Sequence, residues 1–235
     1  MRLEFLYDRM AFFSKQSDPR MHQVALATLF DLLDATERTD MKGSVLQDLE
    51  RQRGVLLSLQ SHPDVDGKRL TSMLAEIERV AGNLAAPGKT GQSLRENEWL
   101  NSLRGRLAVA GGGTQVDMPS FHAWQNRPEA ERVVDLNRWM SSLMPLQAGI
   151  AIVLGLLRES GDAQDAVASG GAYQQMLAGK SYQLLRVWVD PATRTFPEMS
   201  ANKYMVWIRF SSQDGELKPH QVVRDVPFRL ALCAL

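Results

Sequence analysis

The chain has 235 residues, 27 basic against 27 acidic side chains, 44% hydrophobic residues and one cysteine. That length can bury a substantial core, and the charge balance excludes a bulk-basic protein drawn onto nucleic acid or an anionic membrane. One cysteine excludes an internal disulfide framework or a cysteine-rich zinc site, which points to a reducing cytosol.

Residues 1–160 read as a series of helices. In Met1–Gln16 the residues Leu3, Phe5, Leu6, Met10 and Phe13 recur at helical spacing, and Arg2 and Glu4 leave no apolar leader. Ser17-Asp18-Pro19 is a helix-start signal before a broadly apolar segment, Val24 to Leu33. A third helix is expected from Asp40, ending at the turn cluster His62–Gly67. A fourth carries Leu70 to Val80 and closes at Ala86-Pro87-Gly88. A fifth runs from Ser93 through Leu107. Asp117-Met118-Pro119 and Pro128 each open a further helix, and Leu143–Leu157 is dense enough in apolar residues to be the central core helix. Its apolar run Ala148–Leu157 is ten residues, too short to cross a bilayer.

The pattern changes after Gly161. Gln183–Val189 and Tyr204–Phe210 alternate with period two, as does a last strand with Val226, Phe228, Leu230 and Leu232 on one face. Ala172–Leu177 is a weaker strand, Asp190–Pro197 a turn, and Asp162–Gly171 a flexible connector. The expected fold is α+β: a mostly helical domain over residues 1–160, then a mainly antiparallel β domain over 161–235 packed on it.

Familiar catalytic patterns are missing. Gly88-Lys89-Thr90 lacks the first P-loop glycine, since Asn83 stands five positions before Gly88, and a helix precedes it where a P-loop needs a strand. The four histidines never pair at helical spacing, so neither metal binding nor histidine catalysis has local support. Cys233 lies in an apolar terminal strand and is expected to be packed. One constellation stands out. If the two best strands are neighbours, Trp188 and Trp207 share a sheet face with Arg186 and Arg209, and Arg229 joins from the last strand. Either that face binds a peptide or nucleic acid, or helices cover the tryptophans while the arginines snorkel to the rim. On the first alternative, single-stranded nucleic acid could stack on Trp188 and Trp207.

Several short segments, in order along the chain, carry a family likeness. They are Glu37-Arg38, Leu46-x-Asp48-Leu49-Glu50-Arg51-Gln52, Gly91-Gln92, Leu94-Arg95-Glu96, Gly111-Gly112 and Asp117-Met118-Pro119-Ser120-Phe121-His122-x-Trp124. Leu143-x-Pro145-Leu146, Val153-Leu154-x-Leu156-Leu157-Arg158-x-Ser160, Leu184-Leu185-Arg186, Pro197-x-x-Ser200, Lys203, Ile208-Arg209-Phe210 and Phe228-x-Leu230 continue them. Together they resemble the Z-ring-associated protein D (ZapD) family of bacterial division proteins. The resemblance implies a helical domain and a β domain, a homodimer, a cytoplasmic place at the midcell Z-ring, and no enzymatic activity, cofactor, metal or small-molecule substrate. It also implies binding to the C-terminal tail of the tubulin-like GTPase FtsZ, a tail with acidic and apolar groups, and bundling of FtsZ filaments. No membrane or nucleic-acid partner is expected. The matching basic positions are Arg38, Arg186, Lys203 and Arg209, with Arg2 and His122 beside them, and Trp188 and Trp207 are the candidate aromatic contacts. Glu98 stands where the family pattern leads one to expect a further base, and Cys233-Ala234 where a Cys-Cys pair is common.

Overall fold

A computed structural model describes residues 1–37, 40–213, 215 and 218–235. It has a helical region followed by antiparallel sheet, an α+β fold, and divides into two compact units, Met1–Val153 and Leu154–Leu235.

The first unit begins with α1 (Arg2–Ser14) and α2 (Pro19–Glu37). Leu3, Leu6, Tyr7 and Met10 of α1 are buried, as are Leu26, Leu29 and Leu32 of α2. The Tyr7 hydroxyl donates to the Leu143 carbonyl at 2.9 Å. Local chemistry sets the helix starts: carboxylates of Asp18, Asp40 and Asp66 accept the backbone N–H groups of Arg20, Gly43 and Lys68 at the starts of α2, α3 (Met41–Ser58) and α4 (Gly67–Ala85). Asp66, inside the expected turn cluster His62–Gly67, is the exposed cap of α4. The expected fifth helix is two, α5 (Gln92–Arg95) and α6 (Glu98–Leu107). Asn97 breaks it because its side chain accepts from Leu100 N–H at 2.9 Å and starts a new helix. Then follow α7 (Pro119–Gln125), α8 (Glu129–Ser141) and α9 (Met144–Glu159).

By length and composition alone Glu129–Glu159 would pass for a membrane span. It is two helices parted at Ser142-Leu143, with Arg132, Leu136, Trp139, Leu143, Leu146 and Ile150 buried. Arg132 is held by carbonyls of Ser17, Gln125 and Arg127 and donates to His22 Nδ1 at 3.0 Å. The expected central core helix α9 is buried only in part: Leu146, Ile150 and Leu157 are enclosed, while Ala151 is exposed. Its residues divide between the two units, the boundary falling between Val153 and Leu154.

The second unit holds two small sheets. One has the order β1-β7-β3, from Gln164–Ala168, Val226–Cys233 and Leu184–Trp188. The other has β2-β5-β4, from Ala172–Met176, Met205–Ser212 and Phe196–Ala201, with β6 (His220–Gln221) added to β5. All pairings are antiparallel. Val206, Ile208 and Phe210 of β5 meet Val226, Phe228 and Leu230 of β7, and Leu185 and Val187 of β3 pack against them. Two differences from the sequence reading stand out. The expected connector contains β1 and the expected turn runs into β4; each has one hydrogen-bonded neighbour and most of its residues exposed, with no alternating apolar face to mark it.

Glycines give a direct test of this packing. Gly54 lies exposed inside α3 with nothing within 4 Å of an added Cβ, so Gly54→Ala should stabilise the protein by about 0.5–1 kcal/mol. Gly171, at φ +76° in the turn between β1 and β2, would drive a Cβ into the Val222 carbonyl. Gly171→Ala should cost about 1–3 kcal/mol. Urea denaturation of both variants measures the pair, and equal effects of the same sign would contradict the packing described. A second test uses pH. Burial, and secondarily the charge of Arg132, lowers the affinity of His22 for protons. Below the ordinary histidine value of about 6.5 the unfolded chain therefore binds a proton that folded His22 resists. Stability should fall between about pH 7 and about pH 5, and His22→Gln should flatten that slope.

Candidate functional site

Alternation in β3 and β7 points Leu185, Val187, Phe228 and Leu230 inward, so Arg186, Trp188 and Arg229 face out. Trp188 stands opposite Arg229 in the register. The Arg186 guanidinium carbon lies 4.4 Å from the Trp188 ring centroid and that of Arg229 lies 5.9 Å away, two cations on one indole. The same outer face is partly roofed. Leu154 and Leu157 from the end of α9 pack on Leu184, Ala231 and Cys233, where burial pushes the Cys233 thiol up. Arg186 Nη1 donates to the Arg158 carbonyl at 2.9 Å, so this arginine also caps the last turn of α9. Trp188, 37% exposed, sits beyond the roof.

Trp207 and Arg209 lie on the other sheet. In the register Gln174 and Ser200 flank Trp207, and Ala172 and Glu198 flank Arg209. These residues line an open groove of about 530 Å³. Glu198 accepts from the Ser211 hydroxyl at 2.8 Å and places a carboxylate across from Arg209.

The single Arg/Trp face expected from alternation therefore does not exist. β3 and β5 belong to different sheets, and because the apolar faces of the two sheets pack on each other, their outer faces point away from each other. Period two assigns residues to a face, but it does not say which strands are neighbours.

Residues 1–209 match the family of the cell division protein ZapD. The chain is 64% identical over 234 residues to "Cell division protein ZapD" of Bordetella pertussis, covering 100% of this chain and 92% of that protein. It is 62% identical to the Bordetella petrii protein of the same name, with 94% of that protein covered, and 49% identical over 235 residues to that of a Janthinobacterium, again with 94% covered. The chain belongs to the ZapD family of cell division proteins.

Some residues of the ZapD-like pattern have structural duties. Arg95 donates to the carbonyls of Thr90 and Leu33, tying a loop to the end of α2. Gly91, at φ +70°, lies so near Leu33 and Leu143 that a side chain would collide. Other pattern residues point outward. Lys203 is exposed between β4 and β5, its ammonium 4.7 Å from the Tyr204 ring centroid. His122 is exposed on α7, where Nε2 lies 3.2 Å from Asn126 Nδ2, so it is not a packed core residue. Arg2 is exposed in the first turn of α1. Arg38 lies outside the described residues. The candidates thus fall in both units: Arg2 and His122 in the first, Arg186, Lys203 and Arg209 in the second. Glu98 lies in the first turn of α6, where a helix N-terminus favours an acid.

Sequence reasoning missed a cluster of Trp99, Phe121, Trp124 and Trp139. Trp99 and Trp139 stack at 5.6 Å, and Asp135 accepts from Trp124 Nε1 at 2.9 Å and pairs with Arg138 at 2.8 Å. The run Phe121-x-x-Trp124 was its one visible signal; Trp99 and Trp139 come from distant helices. Among the described residues, no group of three or more His, Cys, Asp or Glu could hold a metal ion.

The two arginines should separate by stability. Arg186→Ala removes a helix cap and a half-buried cation–π contact and should cost about 1–2 kcal/mol. Arg209→Ala, on an exposed strand face, should stay within about 0.5 kcal/mol. Thermal and urea unfolding of both variants decide this, and an Arg186→Ala protein as stable as the parent would contradict the capping role.

Proposed function

We propose that this protein binds the C-terminal tail of FtsZ through exposed basic and aromatic side chains of its β unit, and cross-links FtsZ filaments into bundles. It acts in the cytoplasm at midcell, as a homodimer, without enzymatic activity or cofactor. The observation that carries this reading is family membership over residues 1–209; the outward-facing Arg186, Lys203 and Arg209, which the resemblance implies as tail-binding residues, support it. Arg186 beside Trp188 joins charge to apolar area, which suits a tail with both acidic and apolar groups. A dimer gripping two filaments that each display many tails gains strength from effective concentration, so each contact can be weak. Nucleic acid fits less well: Trp188 and Trp207 lie on different sheets and cannot form one stacking platform, and the chain carries no net charge.

Sedimentation of FtsZ polymers with this protein tests the reading. Polymers with the tail should co-sediment as bundles and those without it should not. Bundling should decline as ionic strength rises from about 0.1 M, where the Debye length is about 10 Å, because exposed Lys and Arg contacts are then screened. Equal bundling of tailless polymers would remove the tail as the binding target.

A further inference from the structure

Among the described residues, β1, β2, β3, β4 and the two-residue β6 each have one hydrogen-bonded neighbour strand. An unpaired edge is a template for another strand unless something blunts it. β1 and β2 follow each other through the Gly170-Gly171 turn and the Ser169–Ala172 bridge, and β1 carries the acidic Asp165. β4 holds Pro197, which lacks the N–H that a ladder needs, and the acidic Glu198. β3, Leu184-Leu185-Arg186-Val187-Trp188, and β2 have neither proline nor acid, and of these two β3 carries the basic side chain, Arg186. Among the described residues its backbone hydrogen bonds go to β7 alone, which leaves alternate N–H and C=O groups directed away from the sheet.

Beside this edge the sandwich is open. A slot of about 330 Å³ lies between the start of β3 and the β4–β5 connection. Tyr182, Leu185, Val206 and Leu232 give it an apolar floor, Lys180 and Lys203 stand on its rim, and no acidic side chain lines it. A strand laid along β3 would alternate its side chains between two environments: the apolar slot on the core side, and the Arg186–Trp188 surface outside. Such a strand would have to carry apolar residues at alternate positions and carboxylates near the cations.

From this geometry we infer that β3 is a β-augmentation edge, and that its occupant is an extended, acidic and apolar peptide segment of the partner that adds antiparallel or parallel to Leu184–Trp188. The inference rests on the tail reading above for the partner's identity; the edge, the slot and the charge complementarity supply the mode. Main-chain hydrogen bonds then carry much of the affinity, and Lys180, Arg186 and Lys203 select acid over base. This explains how a protein of zero net charge holds an anionic segment with so few cations.

A backbone scan of the partner peptide tests it on the intact protein. A synthetic FtsZ tail peptide is compared with variants carrying one N-methyl group at each amide in turn, with affinity read by titration and the ¹⁵N amide shifts of the protein recorded for the parent peptide. Strand addition predicts period-two losses, about tenfold at each amide that would bond to β3 and little at those between, with the largest amide shifts in Leu184–Trp188. A parent peptide that binds with a flat N-methyl profile, or with shifts elsewhere, overturns the edge while leaving tail binding intact. A parent peptide that fails to bind overturns the tail reading itself, and the proposed occupant with it.

Discussion

Two small sheets can remove their apolar faces from water only by closing on each other, and the Phe210–Phe228 contact, with ring centroids 5.1 Å apart, marks where they do. Everything outward-facing in this unit follows from that closure. Once Val206, Ile208 and Phe210 turn inward, Trp207 and Arg209 must turn out; once Val226, Phe228 and Leu230 do so, Arg229 must stand beside Trp188. Closure also separates the two basic surfaces. The end of α9 roofs one of them and takes up a hydrogen bond from Arg186, whereas the other faces a groove and a carboxylate.

The coarse division of the chain was legible because helical and strand periods differ and the switch near Gly161 is abrupt. Strands that bury one face, β3, β5 and β7, announce themselves by alternation. β1 and β4 do not, since most of their residues are exposed, as in Gln164-Asp165-Ala166-Val167-Ala168, and no alternating apolar face marks them. Strand order was illegible for a different reason. β3 and β5 are similar in pattern, and nothing in that similarity says that each pairs elsewhere, β3 with β7 and β5 with β2 and β4. The site reading inherited this limit. Alternation places each arginine and tryptophan on one face of its own strand, but joining them into one surface needs a pairing that the fold does not make. The same holds for the Trp99–Trp139 stack, formed by side chains forty positions apart.

Family likeness does not separate residues kept for the fold from those that meet a partner; geometry helps to do so. Arg95 and Gly91 hold a loop against α2, and Asp48 pairs with Arg51 on the surface of α3. Arg186 caps a helix and leaves further guanidinium donors on the Trp188 surface. Lys203 is exposed and contacts only its neighbour's ring among the interactions described, so its charge can be altered with the least disturbance to packing. A balance of 27 against 27 charges therefore limits the extent of any anionic partner rather than excluding one.

That property makes Lys203 the place to test the central claim, that the β unit meets the acidic segment of the partner directly. The measurement is a charge-swap cycle: Lys203→Glu in this protein, each tail carboxylate changed in turn to lysine, and the affinities of all four combinations. Direct contact predicts that each single change weakens binding and that one reciprocal pair restores it, with a coupling beyond about 0.5 kcal/mol. Strictly additive losses for every tail position would contradict the account.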